Sequence, residues 1–171
     1  NRKLKTEYHI EITRKALKDN FSEAALEIII KANIKQDNLR NTFGHDYIHF
    51  DGSAFEEGFQ YISEQEKLVS EFLEAENYEQ AQMAFGRITH SWQDFYSHSN
   101  YVRIWSINNP KQSPKDIIVN DRSIFDYSNF SSGKNYGIIE FFSMVQLFSW
   151  FILPFMPADS HAKMNLDSPS S

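Results

Sequence analysis

The sequence predicts an all-α fold, because apolar residues recur at the spacing of one helix face in several separate segments. The predicted helices are residues 6–19, 23–34, 53–75 and the stretch from Asn77 to Val102. Helix-capping patterns support three of these starts: Ser22, the S-x-x-E box from Ser53 to Glu56, and Asn77 with Gln80. We expect residues 1–171 to form one domain, since this length can bury a substantial core.

Two connecting regions lack a helical period. Residues 35–52 are rich in Asp, Asn, Gly and His, and form either a loop that carries a functional site or a solvated connector. Their ionisable side chains include Asp37, His45, Asp46, His49 and Asp51. Residues 103–136 contain several Pro, Gly and Asn turn signals. They predict a long irregular insertion, in which aromatic residues would serve either a substrate lid or loose packing.

Residues 137–156 are the most apolar part of the chain, but Pro154 and several polar residues interrupt them. A membrane span needs about 20 predominantly apolar residues, so this run is too short and too polar for one. It predicts a buried core helix. The alternative is a surface that contacts a membrane, because the polar residues occupy only a narrow part of the helix.

Composition limits the possible chemistry. The chain has no cysteine, so any metal must be bound by imidazole and carboxylate groups. The net charge of −6 argues against binding nucleic acid through a basic surface, although bound cations would change the local sign. Aromatic residues make up 15% of the chain, which is high for a chain this polar.

The stretch from Asn77 to Val102 carries the strongest candidate site. His90, Asp94 and His98 recur every four residues and therefore share one face of the predicted helix, opposite its apolar face. His90 and His98 are roughly 12 Å apart along the helix axis, whereas two donors on one Zn²⁺ are at most about 4 Å apart. Asp94 could join either histidine or bridge both, so a metal site here should hold more than one ion. The alternative is a solvated polar face with two unrelated histidines.

Four pieces of the sequence together resemble the Het-C domain, which is also found at the N-terminus of certain von Willebrand factor A-containing proteins. The pieces are HIEITRKAL, IHFDGSAFEEG, RITHSWQDFYSHSNYV and SHAKMNLDSPSS, in that order. That domain is in turn similar to the zinc-dependent phospholipases C and the single-strand-specific nucleases. The resemblance implies a compact helical bundle around a cluster of three zinc ions, shortened at its C-terminal end.

The resemblance also implies a set of metal ligands. His9 would share one ion with the N-terminal residue and an aspartate, while Asp37 and His49 would join His90 and Asp94 at a second. His98 would pair with His161 at a third ion, and Asp94 would bridge between sites. The relatives place a carboxylate where this chain has Asn165, so Asp167 would have to substitute. The full candidate ligand set is His9, Asp37, His49, His90, Asp94, His98, His161 and Asp167, with Asn1, Asp51 and Asn165 as additional candidates.

The implied function is zinc-dependent hydrolysis of a phosphoester at two or three Zn²⁺ ions, with Asp37 as the catalytic residue that orients or deprotonates water. Aromatic richness and the 137–156 run favour a phospholipid substrate, and a secreted or extracytoplasmic location follows from the resemblance alone. One alternative is a membrane-active toxin or cell-death module with structural zinc and no hydrolysis. Another is a helical binding domain whose histidines are ordinary polar residues.

Overall fold

The computed structural model describes residues 2–38, 44–117, 129–134, 153–160 and 163, with side chains from residue 6 onward. The described chain forms five α-helices: α1 (Arg2–Leu17), α2 (Glu23–Ile34), α3 (Phe55–Glu74), α4 (Tyr78–His98) and α5 (Tyr101–Asn108). Extended pairing in these ranges is limited to two isolated bridges, Ser99 with Ser132 and Lys134 with Ser160. The predicted all-α fold is confirmed.

Helix α4 lies at the centre of the bundle, with α2 packed on one side and α3 on the other. Gly86 permits the close approach of α2, because a Cβ atom at this position would lie 2.3 Å from the backbone oxygen of Ile29. Between α3 and α4, the main apolar core consists of Phe50, Phe55, Phe59, Ile62, Ile88, Trp92, Phe95 and Tyr101. With its apolar face fixed between these neighbours, α4 directs its other face toward α1 and the loop that follows α2.

Two of the predicted caps are present and one is not. The Ser22 side chain accepts a hydrogen bond from Ala25 N, and Asn77 accepts one from Gln80 N. The capping box predicted at Ser53 is wrong, because α3 begins at Phe55 without a side-chain cap. Ser53 instead has a φ of 61° and exchanges hydrogen bonds with Ser132, so its hydroxyl ties the loop to residues 129–134.

The described parts of the two connecting regions contain helical turns that the sequence does not indicate. Short 3₁₀ turns at Lys35–Asp37, Asp46–Ile48 and Asp51–Ser53 organise the loop between α2 and α3. The first residues of the predicted irregular insertion belong to α5, which continues to Asn108. Of the apolar run 137–156, only 153–156 are described, so both interpretations of this run rest on residues outside the described ranges. No helix in the described part of the chain has the length and apolar character needed to span a membrane.

Candidate metal centre

Helix α4 presents His90, Asp94 and His98 to the interior, and all three side chains are buried. Asp94 is the centre of the arrangement, because its two carboxylate oxygens face four imidazole rings from three parts of the chain. His49 Nδ1 and His90 Nε2 lie 2.8 and 2.9 Å from Asp94 Oδ2. His9 Nε2 and His98 Nε2 lie 3.4 and 3.7 Å from Asp94 Oδ1.

The first group of donor atoms is compact. His49 Nδ1, His90 Nε2 and Asp94 Oδ2 are mutually 2.8 to 3.1 Å apart, and all three residues are buried. Donors in a tetrahedral zinc site lie about 2.0–2.1 Å from the ion and therefore about 3.3 Å from one another. Small outward shifts of these atoms would accommodate one zinc ion.

A second group lies on the other side of Asp94. His9 Nε2 is 3.4 Å from Asp94 Oδ1 and 4.0 Å from Asp37 Oδ2, distances too long for hydrogen bonds. Neither of these two carboxylate oxygens has a hydrogen-bond partner among the described residues, although both are buried atoms. His90 Nε2 is 3.8 Å from Asp37 Oδ1, so His90 lies within reach of both groups. One nitrogen binds one ion, and the shorter distances assign His90 to the first group.

A partly buried network behind His9 orients its ring. Gln93 Oε1 is 2.5 Å from His9 Nδ1 and accepts a second hydrogen bond from Asn33 Nδ2 at 3.1 Å. The Gln93 amide nitrogen donates in turn to Thr13 Oγ1. With Oε1 facing the ring, His9 Nδ1 is the donor, and Nε2 is directed at two carboxylate oxygens. A cation would satisfy buried carboxylate oxygens that have no hydrogen-bond partner and lie beside an imidazole nitrogen.

His98 is oriented by a similar contact. Its Nδ1 lies 2.9 Å from the backbone oxygen of His49 and 3.3 Å from Asp51 Oδ1, which leaves Nε2 directed at Asp94. Asp51 therefore contacts the side of the ring away from the cluster, the position of an orienting residue rather than a ligand. His45, which the sequence left unassigned, lines a separate cleft. His161, Asp167, Asn165 and Asn1 lie outside the described residues, and so does the third ion site that depended on them.

The cluster is strongly coupled electrostatically. Burial alone would raise the pKa of Asp94, but the surrounding histidines, with hydrogen bonds from His49 and His90, hold this pKa well below its usual range. Burial alone would lower the pKa of His90, but Asp94 and Asp37 outweigh it and raise the pKa. In the metal-free chain the fold thus favours an ionised Asp94 surrounded by positive charge. A cation can supply that charge in place of protons.

Gln93, Asn33 and Thr13 belong to the centre but were not predicted from the sequence. Gln93 lies on α4 between the ligand face and the apolar face, where helical periodicity assigns it to neither. The only available signals were Asn33, an uncharged polar residue on the otherwise apolar inner face of α2, and Thr13, one helical turn after His9 on α1. Both side chains are buried.

The fold and the cluster define an all-α domain whose central helix carries the main residues of a His/Asp metal-type centre. The sequence model of one family, described as the VWA7 N-terminal domain, matches residues 5–132. This range includes all six residues of the cluster, which are His9, Asp37, His49, His90, Asp94 and His98. Since this match covers well over half of the chain, the protein belongs to the VWA7 N-terminal domain family. Comparisons with curated proteins and with solved structures gave no significant match.

The expected membership of the Het-C family is therefore wrong, since the matching family is a different one. The string that carried the resemblance, HSWQDFYSHSNY, forms the end of α4 and the start of α5. Its His and Asp spacing is set by the need to present donors on one helix face, a need that unrelated helical families share. The last of the four resembling pieces, SHAKMNLDSPSS, also lies beyond the matched residues.

Proposed function

We propose that this domain is a zinc-dependent phosphoesterase with a two-ion centre bridged by Asp94. The observation that carries the proposal is the pair of buried, unpartnered carboxylate oxygens, Asp94 Oδ1 and Asp37 Oδ2, that face His9 Nε2. Desolvated oxygens of this kind are costly unless a cation lies between them.

The donor set assigns ligands to each ion. One ion would be held by His49 Nδ1, His90 Nε2 and Asp94 Oδ2, and the other by His9 Nε2, Asp37 and Asp94 Oδ1. Imidazole-rich sites with a few carboxylates suit Zn²⁺ rather than Mg²⁺ or Ca²⁺, which prefer oxygen ligands. His98 is a further donor to the second ion through its Nε2, which is directed at the same carboxylate oxygen.

Asp37 is the residue through which substrate reaches this centre. Its side chain is 35% exposed, while those of His9, His49, His90 and Asp94 are at most 7% exposed. Paired zinc ions would lower the pKa of a bound water and stabilise charge on the phosphoryl oxygens. Asp37 would accept the proton as the water oxygen bonds to phosphorus. The phosphorus–oxygen bond to the alcohol then breaks, and the leaving oxygen takes a proton from Asp37 or solvent.

Two-ion centres with bridging carboxylates serve in-line displacement at phosphorus in phosphatases and nucleases. The acidic balance of the chain favours a substrate other than nucleic acid. The preference for a phospholipid, with membrane contact through residues 137–156, is an expectation from the aromatic and apolar sequence. Most of that run lies outside the described residues.

Burial of the ligands favours a second candidate, a membrane-active module in which zinc is structural. The centre links α1, the loop after α2 and α4, so ions there would hold three parts of the chain together without catalysis. The partly exposed Asp37 is the feature that distinguishes the two, because a purely structural site has no use for an accessible ligand.

The test combines metal content with turnover. We expect elemental analysis of the purified chain to give two zinc ions, and we expect hydrolysis of bis(4-nitrophenyl) phosphate or phosphatidylcholine vesicles. His90→Ala should lose zinc, whereas His45→Ala, the same change outside the cluster, should retain it. Asp37→Asn should lower turnover more than zinc content. Zinc without turnover on either substrate would favour the structural role, and zinc near zero in the wild-type protein would refute both.

A further inference from the structure

A cleft of about 530 Å³ opens beside the metal centre. Its walls come from the end of α2, the 3₁₀ turns that follow it, α3 and α4. The cleft and the centre share a wall, since Gln36 and Asn38 flank Asp37 and Ile48 precedes His49 in the chain. Arg87 is one helical turn before His90 on α4, about 4.5 Å along the axis.

The charge of this cleft is opposite to that of the protein. The whole chain has 23 acidic and 17 basic residues, yet the described residues that line the cleft include Lys35 and Arg87 and no carboxylate. Elsewhere in the described ranges, cations such as Arg14 and Lys67 pair with glutamates. The Lys35 ammonium and the Nη atoms of Arg87 have no hydrogen-bond or ion-pair partner among the described residues.

Neighbouring side chains hold Arg87 in place without neutralising it. Its Nε donates to Gln65 Oε1 at 2.5 Å, and this neutral acceptor leaves the guanidinium charge uncompensated. The Tyr61 hydroxyl donates to Gln36 Oε1 at 3.2 Å, and burial raises the pKa of Tyr61 to about 12, so the phenol stays neutral. A fixed guanidinium in a partly enclosed site is suited to bidentate recognition of a phosphate group.

We propose that this cleft binds a phosphomonoester group through Arg87 and Lys35 and forms the specificity subsite for the substrate of the metal centre. The subsite role rests on the proposed phosphoesterase function, whereas anion binding by the cleft does not. The substrate class would then carry a phosphate monoester close to the ester that is hydrolysed. That monoester belongs either to a soluble molecule or to a lipid headgroup of the phosphatidic acid type.

Titration calorimetry with inorganic phosphate on the full chain tests the anion site. Arg87→Gln should weaken binding roughly 10- to 100-fold, the cost of losing hydrogen bonds to a charged group. Arg87→Lys should recover part of the loss because it keeps the charge. Arg103→Gln, the same change on an exposed arginine of α5, should bind as wild type does. Circular dichroism confirms that each variant is folded.

The metal-depleted variant His90→Ala separates this proposal from the proposed function, because Arg87 is not a ligand. Phosphate binding that persists in His90→Ala and is lost in Arg87→Gln supports the cleft, whether or not the wild type holds zinc. Binding that is lost in His90→Ala and unchanged in Arg87→Gln places phosphate on the metal ions and overturns it.

The source of the phosphate is tested with sn-glycerol 3-phosphate and with vesicles that contain phosphatidic acid. Arg87-dependent binding of the soluble ester supports a soluble substrate. Arg87-dependent co-sedimentation with the vesicles alone supports a lipid. Binding to neither overturns the proposed subsite.

Discussion

Asp94→Asn is the sharpest perturbation of the centre, because it changes one oxygen to nitrogen and keeps the shape of the side chain. The carboxylate has two imidazole nitrogens within 2.9 Å of one oxygen and two within 3.7 Å of the other. An amide supplies one oxygen, and its NH₂ group is not a metal ligand. The bridge is lost, and both ions lose their shared negative ligand. We expect the zinc content to fall from two to at most one.

The size of the effect on stability follows from linkage. Zinc at about 100 times its dissociation constant stabilises a folded protein by about 2.7 kcal/mol per site. For a chain of 171 residues, 1 kcal/mol corresponds to about 2–4 °C in Tm. Two sites should therefore raise the Tm of the wild type by about 10–20 °C between EDTA and excess zinc. The same difference should be at most half as large in Asp94→Asn, which keeps at most one ion.

Differential scanning fluorimetry with and without zinc measures this difference directly. Any intrinsic destabilisation by the substitution cancels, because each variant is compared with itself. Asp19→Asn is the matched control, since Asp19 is exposed at the end of α1 and should leave the zinc response unchanged. A full zinc response in Asp94→Asn, with two bound ions, would show that Asp94 does not bridge the ions.

Three further outcomes are expected. Gln93→Leu removes the acceptor that orients the α1 histidine and should weaken zinc binding by about 10- to 100-fold in a chelator competition, whereas exposed Gln112→Leu should not. The pKa of His90 is raised above 6.5 by Asp94, so stability from this group in the metal-free chain is present at low pH and lost as pH rises through the raised pKa. Zinc binding requires the deprotonated His90 ring. Melting curves at several pH values should therefore show a zinc-induced rise in Tm that grows as the pH increases. Over the same range, the EDTA-treated protein should lose the stability that protonated His90 contributes. Gly86→Ala forces α2 away from α4 and should destabilise the fold by about 1–3 kcal/mol in urea denaturation; an unchanged midpoint would contradict the tight helix contact.

The local features of the site could be predicted from the sequence because they depend on helix geometry. The 3.6-residue repeat places His90, Asp94 and His98 on one face of α4, and the rise per residue implies that the two histidines cannot share an ion. In the structure they do face different oxygens of Asp94. Helical periodicity also predicts α2, α3 and α4, because each has a long apolar stripe.

The sequence contains no comparable signal for residues that are distant in the chain but close in space. His9 and His49 were placed near Asp94 only through a resemblance to a family to which the chain does not belong. Three-dimensional contacts alone reveal the Gln93 network and the basic cleft, because neither has a sequence period. The failed cap at Ser53 has the same cause: its hydroxyl bonds to Ser132, 79 positions away, and no local pattern encodes that competition.

The burial of the ligands has a consequence for the rate at which the centre exchanges its ions. An ion held by the first group, His49, His90 and Asp94, would have no exposed ligand, whereas an ion held beside His9 would have Asp37 on its open side. We expect the second ion to exchange with solvent past Asp37, and the first to leave only when the loop that carries His49 separates from α4 in a local opening of the bundle. The two lifetimes would then differ, and the longer one would report the free energy of opening that loop.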